Sequence, residues 1–238
     1  MSEGDPGLPD PVGGGSFWTS LPALLTASAV LLGAVVSAVV ALRSDGGDSA
    51  PITEGGTTTG PGEASSKYFV AVTRPAGRVY FESGTMFVKA SQPAQPMLAL
   101  AEQSDALKDV GLSAHTEWVS GALDYGVGFV CRYANAGNYY LLSVLSGGRY
   151  HIVRYRKGRP VSLTGGIQVS AAIDDEANDV EARCAGHDPV ILTLSVGGRE
   201  VASVRDAEGI EEGNVGLRLG TSESVVTCSF RDFELRSI

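Results

Sequence analysis

Two rhythms of apolar residues divide this chain. From Leu21 to Leu42 it reads LPALLTASAVLLGAVVSAVVAL, 22 residues without a charge, in which only Thr26, Ser28 and Ser37 are polar. At about 1.5 Å per residue this run makes a helix of roughly 33 Å, which matches a hydrocarbon core of about 30 Å. Phe17 and Trp18 precede it, and amphipathic rings favour the membrane interface. The pattern predicts a single transmembrane helix over residues 17–43. A cleaved signal peptide needs a basic leader and a shorter apolar stretch. Residues 1–16 contain no Lys or Arg and the run is too long, so an uncleaved span is expected. Gly33-Ala34 and Ser37-Ala38 give a small-xxx-small face that permits close helix contact. Self-association through Gly33 and Ser37 is one reading of it. The other is that short side chains are simply common in this span.

From Lys67 onward the rhythm changes to short alternating or apolar runs punctuated by turn residues. Strands are predicted at 78–82, 85–90, 97–101, 111–119, 126–133, 139–145, 149–156, 179–184, 190–196, 199–204, 213–219 and 224–235. Gly147-Gly148 and Gly197-Gly198 are hairpin turns by chemistry, because glycine takes up positive φ at low cost. Some twelve strands at this spacing predict an all-β, two-sheet sandwich over residues 67–238. Residues 102–110, with their charges and Ala106-Leu107, are the one place where a short helix is expected. The alternating helices of a doubly wound fold are missing.

The flanks change the picture further. Residues 44–66 hold six Gly, four Ser, four Thr and two Pro, too little apolar surface to offset the entropy of ordering. They read as a flexible linker of roughly 25 Å root-mean-square reach, and residues 1–16 as a disordered tail. Net charge divides the same way. Residues 1–66 carry seven acids and one base, whereas residues 67–238 carry 20 acids and 17 bases, net −3. Neither part is basic, which argues against nucleic acid as a partner. Arg43 is the one base close to the span, and taken alone it would hold the C-terminal domain inside. One charge fixes topology weakly, and large domains translocate largely regardless of charge.

Several segments carry a family resemblance: Thr116-Glu-Trp-Val119, Tyr125-Gly-Val-Gly-Phe-Val-Cys-Arg-Tyr133, Asn138-Tyr-Tyr-Leu-Leu142 and Gly148-Arg-Tyr-His-Ile152, followed by Asp179-Val-Glu-Ala-Arg-Cys184, Leu192-Thr-Leu-Ser-Val-Gly-Gly198 and Phe230-Arg-Asp-Phe233. Together, over about residues 78–236, they resemble concanavalin/laminin-G-like jelly rolls. They are similar above all to the extracytoplasmic domains of bacterial membrane proteins and to 3-keto-disaccharide hydrolase-like domains. Where the family commonly has Val-Asn-Gly and Phe-Asp-Asp-Phe, this chain has Val196-Gly197-Gly198 and Phe230-Arg231-Asp232-Phe233, which weakens any metal site borrowed from the final motif. The resemblance implies a jelly roll outside the cell membrane with a glycan or a protein as ligand. It also implies a disulfide between Cys131 and Cys184, at positions where cysteine recurs in the similar domains. Three reduced core cysteines in an inward-facing domain are the alternative, with Cys228 a small buried hydrophobe in either case.

Catalytic constellations are sparse. The jelly-roll glucanases carry Glu-x-Asp-x-Glu on one strand, and this chain has no such run. Asp174-Asp175-Glu176 with Asp179 forms an acidic cluster that a structural calcium ion could use. It follows no calcium-loop signature, so no cofactor or metal is expected. His115, His151 and His187 lie apart, and neither a Ser nucleophile elbow nor a phosphate loop is present. The run Tyr150-His-Ile-Val-Arg-Tyr-Arg-Lys-Gly-Arg159 stands out. On a strand Arg154 and Arg156 share one face and Tyr155 the other. Together with Tyr133, Tyr139 and Trp118 these side chains are the candidate ligand residues, able to stack on sugar rings or grip carboxylated glycans; otherwise the rings are core and the arginines solvated. The expectation is a membrane-anchored extracytoplasmic binding or sensing module for carbohydrate or cell-envelope polymer, without catalysis. A glycoside-processing enzyme and an assembly domain of a membrane complex are the alternatives.

Overall fold

The computed structural model describes residues 67–102 and 106–238. The expected transmembrane helix, tail and linker lie outside the described residues. Fifteen strands run in chain order: β1 (Val72–Arg74), β2 (Gly77–Glu82), β3 (Thr85–Ala90), β4 (Met97–Leu100), β5 (Val110–Gly121), β6 (Tyr125–Asn135), β7 (Asn138–Leu145) and β8 (Arg149–Arg156). They continue with β9 (Arg159–Ser162), β10 (Gln168–Val169), β11 (Ala177–Ala185), β12 (Val190–Val196), β13 (Arg199–Asp206), β14 (Asn214–Thr221) and β15 (Val226–Ser237). All twelve expected strands are present. Positive φ at Gly147 and Gly148 (74° and 66°) and at Gly197 and Gly198 (57° and 74°) closes the two hairpins, as the glycine pairs require.

The strands form two antiparallel sheets. One has eight strands in the order β1-β2-β3-β15-β5-β11-β12-β13, and the other has seven, β10-β8-β7-β6-β14-β4 with β9 also on β8. This is a concanavalin-like sandwich. Inward residues of both layers meet in one core that includes Val88, Leu112, Leu192, Phe230, Phe129, Leu142 and Leu217. β12 alternates buried and half-buried residues along its whole length, as a strand with one covered face must. β7 instead is buried from Tyr139 to Leu145. Its second face carries another apolar cluster, in which Val130, Tyr139, Leu141, Leu145, Val153 and Tyr155 pack together with Leu98, Tyr133 and Ile167.

Cys131 on β6 and Cys184 on β11 form a disulfide that ties one sheet to the other, and Cys228 is free and buried. Next to the bridge, Arg132 is fully buried at a bulge of β6. Its guanidinium donates to the carbonyls of Lys108 (2.9 Å), Ile210 (2.8 Å) and Gly186 (2.7 Å), so three loops are held at that end of the sandwich.

Two expectations are corrected. The short helix over 102–110 does not form among the described residues. Leu107 is instead extended and exchanges backbone hydrogen bonds with Gly213 at 2.9 and 3.1 Å, so tertiary pairing overrides local propensity. Three strands went unforeseen: β1, β9 and β10. All are short edge pieces, and β9 contains Pro160, which local pattern demotes.

Candidate functional site

The residues singled out from sequence do not make one surface. Arg154 and Arg156 do share a face, with Tyr155 on the other, but Arg154 is buried at 7% exposure. Its Nη1 reaches Asp206 Oδ1 at 2.5 Å and its Nη2 reaches Glu208 Oε2 at 3.0 Å. Asp206 also accepts from the Tyr140 hydroxyl at 2.8 Å, and that hydroxyl takes the Ile210 N–H at 2.9 Å. Arg154 therefore fastens the β13–β14 connection to β8. Arg156 is half exposed and meets the same Glu208 oxygen at 3.0 Å.

Tyr139 and Tyr155 stand directly opposite each other on β7 and β8 and stack at 4.4 Å and 12°. Both are buried, at 7% and 3% exposure, and burial pushes the Tyr139 phenol well above its ordinary value. Arg218 Nη1 donates to the Tyr155 hydroxyl at 3.1 Å. Tyr133 joins them in a tilted contact at 5.6 Å from Tyr139. The exposed aromatic face expected from sequence is thus a packed ladder. Trp118 belongs to the other sheet, where it packs against the interlayer core with its indole N–H buried and unpaired.

A different concavity opens at the end of the sandwich where four turns converge. Its volume is about 750 Å³, and Leu123, Asp124, Tyr125, Gly147, Arg149, Asp175 and Glu223 are among its lining residues. Asp124 Oδ1 accepts from Arg149 Nη2 at 3.0 Å, and its other oxygen accepts from the Ser222 hydroxyl. Arg149 is further aimed by its Nε, which donates to the Ser146 carbonyl at 2.7 Å. Asp175 Oδ1 accepts the Gly147 N–H at 2.5 Å, while the Tyr125 hydroxyl donates to the Asp175 carbonyl at 2.6 Å. Gly121 (φ +104°) sits so close to the Val225 carbonyl that a Cβ would collide with it; this position brings the β5–β6 and β14–β15 turns together.

The cleft therefore offers fixed carboxylate acceptors, a partly exposed guanidinium and an apolar platform, Leu123, which is 72% exposed. A hydroxyl is one donor and two acceptors. A guanidinium beside a carboxylate can serve two neighbouring hydroxyls at once, while an apolar side chain can cover C–H groups. Sequence reasoning gave none of these residues a ligand role: Asp175 is read there as part of an acidic loop, and Tyr125, Gly147 and Arg149 only as strand and turn pattern. The one available signal was Leu123, a large apolar side chain inside a turn.

Elsewhere, His115 Nδ1 lies 2.7 Å from Asp179 on the outer face of the eight-stranded sheet. His151 is buried in the other sheet with Nε2 on Ser162 at 2.8 Å and Nδ1 unpaired, and burial lowers its pKa. Among the described residues, no group of three or more His, Cys, Asp or Glu is placed to hold a metal ion.

No family model matches the chain, and no curated protein sequence does. Solved structures do. The carbohydrate-binding module CBM66 from Bacillus subtilis superposes with a TM-score of 0.57 at 14% identity, over 72% of this chain and 96% of that one. The likeness is one of fold. A Bacillus subtilis protein of unknown function with a galectin-like fold gives 0.51 at 9% identity, over 68% and 86%. The xylan β-1,4-xylosidase of Bacillus halodurans gives 0.50 at 11%, but only 38% of that longer chain is covered.

Proposed function

We propose that this protein is a carbohydrate-binding module held outside the cell membrane by residues 17–43, and that the turn-built cleft at the end of the sandwich receives the sugar. The observation that carries the reading is the Asp124–Arg149 pair, with Leu123 exposed beside it in a cleft large enough for a small saccharide. Two features support the anchoring and the compartment. The 22-residue apolar run is long enough to span a bilayer. The inter-sheet disulfide belongs to a class of bond that persists in oxidising surroundings. Asp124 and Asp175 both accept hydrogen bonds from donors fixed in the fold, an arrangement suited to holding hydroxyls in place. That the ligand is carbohydrate follows what the CBM66 module is named for.

The test is retention of the full chain, purified in detergent, on an array of glycans and cell-envelope polysaccharides, compared with Asp124→Ala and Arg149→Ala. Removing a charged hydrogen-bonding partner is worth about 1.5–3 kcal/mol, so the affinity for the retained glycan is expected to fall roughly tenfold to a hundredfold. Equal retention of variants and wild type, with unchanged unfolding midpoints, would remove the cleft from consideration.

A further inference from the structure

The β8–β9 hairpin, at the opposite end of β8 from the cleft, concentrates positive charge on a domain that is acidic as a whole. Arg154, Arg156, Lys157 and Arg159 line a surface depression of about 600 Å³ together with Val161 and Glu208. Of these cations Arg154 is buried in its pair with Asp206, and Arg156 is tied more loosely, through Nη1 to the Glu208 carboxylate at 3.0 Å and carbonyl at 3.3 Å. Arg156 gives one nitrogen to Glu208, which is itself 67% exposed on its side chain and shared with Arg154. Lys157 and Arg159 have no carboxylate within ion-pair distance among the described residues. The register adds a second, independent point. Arg156 and Arg159 are direct partners on the β8–β9 ladder, and like charges placed opposite each other on a ladder destabilise it. A bound anion would turn that repulsion into attraction, and the guanidinium fork matches carboxylate and phosphate oxygens two at a time.

We propose that this hairpin is an anion-binding site for an acidic glycan, one that carries carboxylate or phosphate groups along its chain. The proposal deepens the carbohydrate-binding reading and rests on it for the glycan class. Arg149 lines the cleft and Arg156 the depression, seven residues apart on one strand, or roughly 23 Å at strand rise. The odd spacing sets the two arginines on opposite faces of β8, so a polymer must be longer than that rise to engage both; the second contact then benefits from an effective concentration set by the first.

The experiment is affinity electrophoresis of the full chain in detergent through gels containing polygalacturonate (carboxylate), poly(glycerol phosphate) (phosphate), neutral dextran or duplex DNA. Wild type is expected to be retarded by at least one acidic glycan and released as salt is raised from about 50 to 500 mM, where the Debye length falls well below 10 Å. Lys157→Glu with Arg159→Glu is expected to weaken that retention more than tenfold. Lys157→Ala with Arg159→Ala, which keeps the hairpin free of new charges, should weaken it less but in the same direction. Which polymer retards the protein tells carboxylate from phosphate. Wild type unaffected by both acidic polymers, equal retention of wild type and both double variants, or DNA retained as strongly as the glycans would each overturn the assignment. Sugar binding in the cleft, read separately through Asp124→Ala, stands or falls independently.

Discussion

Asp206→Ala tests whether Arg154 belongs to the fold or to a ligand site. The side chains of Arg154 and Asp206 are 8% and 6% exposed, so both charges are withdrawn from water. Asp206 accepts from Arg154 at 2.5 Å, from the Tyr140 hydroxyl at 2.8 Å and from the Glu208 N–H at 3.2 Å. Alanine removes all three acceptor contacts and leaves a guanidinium in the interior. Breaking one partner out of a buried pair costs about 3–5 kcal/mol. Glu208 still meets Arg154 Nη2 at 3.0 Å, which places the expected loss near the lower end, about 3 kcal/mol. With an m-value of about 2 kcal/mol/M for a domain of this size, the urea midpoint should drop by roughly 1.5 M. Arg154→Met combined with Asp206→Leu should recover most of that loss, because apolar replacement of both partners is often near neutral. Equilibrium urea unfolding by tryptophan fluorescence reads Asp206→Ala, the double variant and the two singles that compose it. A single-variant loss below about 1 kcal/mol, or a double variant as unstable as the sum of its singles, would refute the buried-pair account.

Two further predictions follow from the same layers. Replacing Cys131 and Cys184 by Ala opens a loop whose ends are 53 residues apart; the chain-entropy model gives a loss of about 4 kcal/mol. At about 2–4 °C per kcal/mol the melting temperature should fall by roughly 8–16 °C, and a fall of under about 3 °C in a calorimetric scan would contradict a stabilising inter-sheet bridge. For His151 the sign follows from its lowered folded-state pKa. Below the ordinary value of about 6.5 the unfolded chain binds a proton that the folded chain refuses, so stability falls as pH drops through that value, by at most about 1.4 kcal/mol per unit. Urea midpoints at pH 7.5 and 5.5 should differ less in His151→Gln than in wild type, and an identical difference would exclude His151 as the source.

Much of the sandwich was legible in the sequence. Alternation along 190–196 and the glycine pairs at 147–148 and 197–198 are local signals, and each produced the strand or turn it announced. The continuous apolar run Tyr139 to Leu145 was recognised as a strand. That both of its faces are covered became plain only when β6 and β8 brought Val130 and Val153 alongside Leu141. The Cys131–Cys184 pair came from family resemblance, since spacing alone left three thiols unassigned.

The candidate site was much less legible. Asp124 and Arg149 are 25 residues apart, and Ser222 is 98 from Asp124, so no window of sequence contains the cleft. Arg154 looked available because its acceptors, Asp206 and Glu208, lie 52 and 54 residues downstream. Period, turn chemistry and the length of the apolar run act between near neighbours, and these the sequence by itself determined: an all-β domain behind a span-length apolar segment. Which faces are covered, which cations are spent and which turns meet depends on the register and stacking of two sheets, where contact is set by distance in space, and only the tertiary structure decided those.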